Sequence, residues 1–327
     1  MIKISIPNID TIARVHYKNV VVKCGKKGKA KTLVQILEQK GAGRISRKKE
    51  FFRKLKNDIE LDFHNSLITA KPNILSDFIN IYERDFSDVL SNKKHCEELL
   101  KIFFYEKYEK WNAYQLSEDL NVKVCPYCNR QYTFTLVKSE VKKGIRPHFD
   151  HFFDKATYPY LALSFYNLIP SCYICNSSLK GSDKFKLSTH LHPYIEGFDE
   201  RIKFSIRPQN INFINGTPDA FKVKLKINRA TSYSFDDLRR IRKNSKVFRL
   251  IDLYNEHKDF IAEIIQKSIA YDEDYYQSLF NEFNGTLFNS IEDVKRMVLS
   301  NYITDEKLGN RVLSKLTKDI AEELGIL

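Results

Sequence analysis

Pro147-His-Phe-Asp150-His151-Phe-Phe, followed from Asn167 by Leu-Ile-Pro-Ser-Cys172-Tyr-Ile-Cys175-Asn176-Ser-Ser-Leu-Lys180-Gly, is the stretch whose reading decides the fold. A matching pair, Cys125-Pro-Tyr-Cys128, lies upstream, with 43 residues between Cys128 and Cys172. Two residues between cysteines let both thiolates face one point, and two such pairs fill a tetrahedral zinc site with nothing left open for water. Such a zinc, held by Cys125, Cys128, Cys172 and Cys175, is structural. Disulfides and a redox Cys-x-x-Cys are the competing readings. Asp150, His151, Asn167 and Asn176 stand beside these pairs. Their groups are the kinds that bind a hard divalent cation, take a proton from water and orient the base that takes it.

Composition sets the frame. The chain has 327 residues, 43% hydrophobic and 29% charged, the balance of a globular protein with a sizeable core. No apolar run reaches the length of a membrane span, and the opening Met-Ile-Lys-Ile-Ser-Ile-Pro lacks a signal peptide's pattern, so a cytoplasmic protein without membrane attachment is expected. Cys24 and Cys96 have no matching companion and read as structural or incidental thiols. Net charge is +13, and residues 1–60 hold 16 Lys or Arg against 5 Asp or Glu. The clusters Lys26, Lys27, Lys29, Lys31 and Arg44, Arg47, Lys48, Lys49, Arg53, Lys54, Lys56 point to nucleic-acid phosphates, with a solvated helix face as the plainer reading.

Hydrophobic spacing predicts an α+β chain, predominantly helical, in three regions: a basic, mainly helical part over 1–120, a metal-site module over 121–200, and short strands then helices over 201–327. Alternation predicts a hairpin of Ile2–Ile6 with Val15–Lys23, then a basic loop over Gly25–Lys31. Helices are expected at Thr32–Gln39, Arg47–Ile59, Ile74–Tyr82 and Lys93–Tyr108, the last capped by Asn92. In the module, Gln131–Val137 reads as strand-like and the second cysteine pair opens a helix. Ile202–Ile206 and Phe221–Ile227 read as strands around a turn-rich stretch with Asn215-Gly216, and Val247–Lys267 and Thr304–Leu324 as long helices. Gly25-Lys-Lys-Gly-Lys-Ala-Lys31-Thr32 approaches a phosphate loop, but Ala30 replaces the glycine before the lysine, so nucleotide binding is not expected.

The quoted residues resemble the HNH endonucleases with a ββα-metal fold, over about 60 residues. Carried over residue by residue, that resemblance implies Asp150 as a metal ligand, His151 as general base, Asn167 as the residue orienting His151, and Asn176 as second metal ligand. It implies one catalytic Mg2+ or Mn2+ and products with a 5′-phosphate. Asn176 departs from the eponymous His, but its carbonyl oxygen suits a hard cation. A neutral His151 can take the proton of an attacking water, while the metal stabilises developing charge on the phosphoryl and leaving oxygens. Because Asp150 and His151 are adjacent, they would point to opposite faces of a regular strand, so the strand must end or bend there.

Lys180, about a turn past Asn176, is a candidate for the scissile phosphate. His148, on the strand face of Asp150, could touch metal or phosphate, with a hydrogen-bonded structural role as the alternative. His190 and His192 have metal-permitting spacing, while His16, His64, His95 and His257 read as ordinary residues. Tyr158, Tyr160, Phe165 and Tyr166 read as module core rather than a base-stacking platform. The overall layout, including Leu253-Tyr-Asn-Glu-His257-Lys-Asp in a late helix, is similar to HNH subunits of Septu-type and retron-linked anti-phage systems. That likeness implies a DNA-cleaving defence effector in a bacterium or its mobile element, accompanied by an ABC- or SMC-like ATPase. The alternatives are a free-standing restriction-like nuclease and a non-catalytic zinc-stapled nucleic-acid-binding protein.

Overall fold

The computed structural model describes residues 1–22, 31–104, 112–137 and 144–327. It is mixed α+β, with many helices and two separate two-stranded antiparallel sheets. Two units emerge, one of Ser5–Val122 with Thr133–Ile195, the other of Met1–Ile4, Lys123–Tyr132 and Glu196–Leu327. Among the described residues no helix is long and apolar enough to cross a membrane.

The first unit opens with a departure from expectation. Among the described residues, Val15–Val22 does not pair with Ile2–Ile6. Ile9–Tyr17 is instead an α-helix (α1), continued by a π-helical turn over Lys18–Val22. The buried residues Ala13, His16 and Val20 recur every three or four positions, and that helical period overrides the local alternation around the valines. The basic loop over Gly25–Ala30 and Cys24 lie outside the described residues.

Leu33–Gly41 (α2) begins at a capping box, in which Thr32 Oγ1 accepts from Gln35 N at 3.2 Å and Gln35 Oε1 accepts from Thr32 N at 3.0 Å. Arg47–Ile59 (α3) buries Phe51, Leu55 and Ile59 along one face. Pro72–Asp85 (α4) starts with a proline in its first turn, where no amide partner is lost, and buries Leu75, Phe78, Ile79 and Tyr82. Short α5 (Ser87–Leu90) follows, then α6 (Lys93–Ile102), whose Asn92 cap accepts from Lys94 N and His95 N. The helix expected to run to Tyr108 thus ends at Ile102, and residues 105–111 lie outside the described set. Ala113–Leu120 forms α7.

Two strands complete the unit. His148–His151 (β1) pairs antiparallel with Leu168–Ser171 (β2), with Asp150 opposite Ile169 and His151 opposite Leu168. The stretch between them is the aromatic core expected from sequence. Tyr160 stacks on Tyr82 of α4 at 4.7 Å, and Phe51 of α3 meets Tyr82 edge-on at 5.4 Å. Hydrogen bonds fix the same stretch: Phe165 N donates to Ile68 O (2.7 Å), Ser164 Oγ to Leu67 O (2.7 Å), Tyr158 OH to Glu83 (2.6 Å) and Tyr166 OH to Asp10 (3.0 Å). The β1–β2 connection is therefore a braced segment rather than a free loop.

In the second unit, Ile202–Pro208 (β3) and Phe221–Ile227 (β4) form the sheet expected there, in register from Ile202 opposite Ile227 to Pro208 opposite Phe221. Between them Gly216 adopts φ +69°, and a Cβ there would stand 2.7 Å from Ala262 O, so only glycine fits. The single helix expected over Val247–Lys267 is broken into pieces: α8 (Phe235–Val247), α9 (Leu250–Asn255) and α10 (Lys258–Ala270). Arg249 takes a left-handed φ of 45° at the first break. The break serves packing. Tyr254 of α9 stacks on Phe204 at 4.1 Å, and Asn255 bonds Val223 of β4 through both its N–H and its carbonyl. Helices α11 (Glu273–Phe283), α12 (Ile291–Val298) and α13 (Ser314–Glu323) follow. The helix expected from Thr304 likewise divides, into a 3-10 turn at Asp305–Asn310 and α13, with Leu313 left-handed between them.

Candidate functional site

The four thiols Cys125, Cys128, Cys172 and Cys175 are buried and lie within 4.8 Å of one another. Four sulfurs each about 2.3 Å from a tetrahedral zinc stand about 3.8 Å apart, so the donor set fits that ion. Each knuckle is shaped by its own backbone. Cys125 N donates to Gln131 O (2.9 Å), Asn129 N returns to Cys125 O (2.8 Å), and Asn129 adopts φ 52°. Arg130 N then points at Cys128 Sγ (3.4 Å), as Cys175 N points at Cys172 Sγ (3.4 Å). Backbone N–H groups aimed at sulfur favour thiolate, the form that binds zinc. Around the first knuckle, Gln131–Val137 makes only isolated bridges among the described residues, Val124 with Tyr132 and Leu136 with Ile145, rather than a strand.

Downstream of the second knuckle the chain winds as a π-helix over Ile174–Lys180 instead of an α-helix, with Gly181 N bonding Asn176 O. The wider turn brings residues five apart close to alignment, so Cys175 and Lys180 are both buried. Lys180 is turned inward. Its Nζ donates to Asp150 Oδ1 at 2.9 Å and to His151 O at 2.7 Å, and both members of the Lys180–Asp150 pair are about 97% shielded from solvent.

β1 ends at His151, where Phe152 N bonds back to Asn167 O. Asp150 and His151 accordingly meet different neighbours: the carboxylate meets Lys180, and the imidazole Nε2 meets Ala162 O at 3.1 Å. A carbonyl can only accept, so Nε2 carries the proton and Nδ1 is left as the basic nitrogen of the neutral ring. Burial lowers the His151 pKa to about 4. The positive charge of Lys155 adds to that, while Asp150 and the Ala162 carbonyl oppose it. The ring is neutral at pH 7.

Asn167 is wholly buried. Its Nδ2 donates to Phe153 O (3.1 Å) and Leu161 O (3.0 Å), and its Oδ1 accepts from Phe153 N (2.7 Å). It clamps the two ends of the β1–β2 connection and bonds the residue before Ala162, whose carbonyl meets His151. Asn176 is half-exposed, with its carboxamide donating to Ser177 Oγ (3.3 Å). The structure thus joins Asp150, His151 and Lys180 by hydrogen bonds, with Asn167 bracing the β1–β2 connection and Asn176 bonded to Ser177.

Several other histidines make ring contacts or backbone bonds outside this group. His148 is exposed and edge-on to Tyr173 at 5.5 Å. His190 lies flat on Phe185 at 3.7 Å, and His192 is buried against Phe152 at 4.2 Å. His16 bonds Leu163 O at 2.8 Å. Sequence reasoning missed the Ala162 carbonyl, which leaves no mark in a side-chain pattern. It also missed the Lys155 charge, which Asp154-Lys155 just past the Asp-His pair could have flagged.

No protein-family model matches the chain, and no solved structure matches it. It is similar to Protein ea31 of Escherichia phage lambda, 28% identical over 144 residues, which is 43% of this chain and 43% of that protein. The chain thus matches less than half of that protein's length.

Proposed function

We propose that the chain is a metal-dependent endonuclease of the HNH type that hydrolyses DNA phosphodiester bonds. The observation that carries this reading is the oriented, neutral imidazole of His151 at the end of β1, beside a carboxylate held by a buried lysine. The donors Asp150 and Asn176 offer hard oxygen to Mg2+ or Mn2+, which when bound stabilises negative charge on the scissile phosphate. The chain's own residues do the rest. His151 Nδ1 takes the proton of the attacking water, with Nε2 pinned on Ala162 O so that the ring keeps its tautomer. Lys180 fixes the Asp150 carboxylate and the His151 backbone together, and Asn167 keeps the connection closed. The thiols of Cys125, Cys128, Cys172 and Cys175 hold structural zinc. In this reading the protein works as a defence effector inside a bacterial cell, and an ABC- or SMC-like ATPase is its partner, tested by copurification from the native host.

One observation favours a second reading. Asp150 already has a buried cation in Lys180, as a purely structural ion pair would. A zinc-stapled nucleic-acid-binding protein would need nothing more. Cleavage of supercoiled plasmid in Mg2+ or Mn2+ decides between them. The nuclease reading expects wild type to cut and His151→Ala to be slower by about 10²-fold or more with unchanged zinc content and circular dichroism. Equal cutting by His151→Ala, or none by wild type with either metal, supports the second reading.

A further inference from the structure

Charge reading along the sequence directs attention to the first 60 residues, but many cations there are already engaged. Lys40 and Lys48 both reach Glu98, Arg47 reaches Glu50, Lys54 reaches Asp58, and Lys56 reaches Glu60. Arg53 is spent on the carbonyls of Gly41 and Gly43.

The β3–β4 ribbon differs. Residues directly opposite in an antiparallel pair share a face, and here the pairs are Lys203 with Lys226, Ser205 with Lys224, and Arg207 with Lys222. Lys203 is neutralised by Glu200 and Glu322. Arg207, Lys222, Lys224 and Lys226 are exposed and form no ion pair among the described residues. On the other side of β3, Asp319 of α13 accepts from Phe204 N, and Glu323 accepts from Ser205 Oγ and Ile206 N, so these carboxylates cover its free edge. Of these pairs, Arg207 with Lys222 sets two unneutralised like charges directly opposite, a modest cost that a bound anion would offset. Strand geometry spaces Lys222, Lys224 and Lys226 about 7 Å apart in a line, a repeating row of cations matched to a repeating row of phosphates.

We propose that this basic face of the ribbon is a docking surface for the DNA backbone, contacting phosphates without reading bases. The proposal rests on the nuclease reading for its choice of polyanion. The plainer account is that lysines on an edge strand merely prevent strand pairing between molecules. Fluorescence anisotropy of a short labelled duplex with the full-length, zinc-loaded protein, in buffer without added magnesium, separates the two. The Lys222→Ser, Lys224→Ser, Lys226→Ser variant is expected to bind at least tenfold more weakly, with the slope of log affinity against log salt reduced by about 2 to 3. The corresponding triple arginine variant is expected to bind like wild type. The single variant Lys224→Glu gives the same direction of change should the triple variant misfold. Affinity and salt slope unchanged in the serine and glutamate variants overturn the proposal. Because binding is read without cleavage, loss of cutting alone tells against the nuclease reading and leaves this surface standing, whereas normal cutting with ribbon-independent binding does the reverse.

Discussion

The two buried polar groups of this protein are built on opposite principles. The cysteine cluster gathers four donors of one kind, which become four like charges as thiolates and need a cation to stay together. The Asp150 site carries its own cation in Lys180, with a matching carboxylate at 2.9 Å. One site is incomplete as a polypeptide, and the other is electrically closed before any metal arrives. Metal should therefore matter to the fold at the first, whereas the fold of the second should stand without one.

The largest expected effect tests that contrast directly. Cys125→Ser or Cys175→Ser, or stripping zinc with a strong chelator, should cost most or all of the cooperative fold. Structural zinc is worth about 10 to 16 kcal/mol in small zinc modules, comparable to a whole domain's stability. Metal analysis paired with thermal melting checks this. Withholding Mg2+ should leave the melt unmoved, and a melt indifferent to zinc would erase the distinction between the sites.

Next in size is Lys180→Met. It leaves Asp150 buried without its cation, for which about 3 to 5 kcal/mol of destabilisation is expected in urea titrations. Adding Asp150→Asn to it should recover a large part of that loss, because the uncompensated charge is gone. If Mg2+ binds at Asp150, millimolar Mg2+ should also restore stability to Lys180→Met while doing nothing for the double variant. That outcome would give the second site the same dependence on metal as the first, once its resident cation is removed.

Acid acts on the thiol cluster and, separately, on buried histidines that belong to neither site. His16 and His192 are buried neutral, with pKa values lowered to about 4 and about 3, chiefly by burial. Their unfolded forms bind protons near pH 6.5, so this stability is fully present above that value and is lost as pH falls toward 4 and then 3. Up to a few kcal/mol each is at stake by pH 4. Zinc release in acid acts on the thiol cluster over an overlapping range, so the His16→Gln variant is the useful control. Its stability should fall less steeply between pH 6.5 and 4 than that of wild type, while zinc loss follows the same curve.

What sequence reveals about the two sites differs for the same physical reason. The thiol cluster is written locally, because Cys-x-x-Cys spacing and knuckle backbone turns are short-range, and the four residues do meet. The partners around His151 are set by tertiary packing. Ala162 contributes only a carbonyl, and Lys180 reaches Asp150 because the chain after Cys175 winds as a π-helix, which no side-chain periodicity announces. In the fold, β3, β4 and α3 were legible because alternation or helical spacing is uninterrupted there. The expected N-terminal hairpin failed because a valine run reads as strand locally, while burial of Ala13, His16 and Val20 selects a helix. The long helix through Val247 is broken at Arg249, which takes a left-handed backbone with no glycine or proline to announce it, and the next piece carries Tyr254 onto Phe204.

Tyr254 supplies the smallest test. Its hydroxyl donates to Cys128 O at 2.6 Å in the first knuckle, and its ring is fully buried. Removing only the oxygen, in Tyr254→Phe, keeps the stacking on Phe204 and loses one hydrogen bond to a carbonyl that then stays buried. About 1 kcal/mol is expected, read as a small shift of the urea midpoint at unchanged slope. The more telling measurement is the rate at which a chelator removes zinc. If the knuckle backbone is held in place partly by Tyr254, that rate should rise severalfold in the variant, whereas Asn167→Ala, which loosens the connection around His151, should leave it near the wild-type value. Equal acceleration by both variants would mean that the thiol cluster and the Asp150 site respond as one unit rather than as two differently built ones.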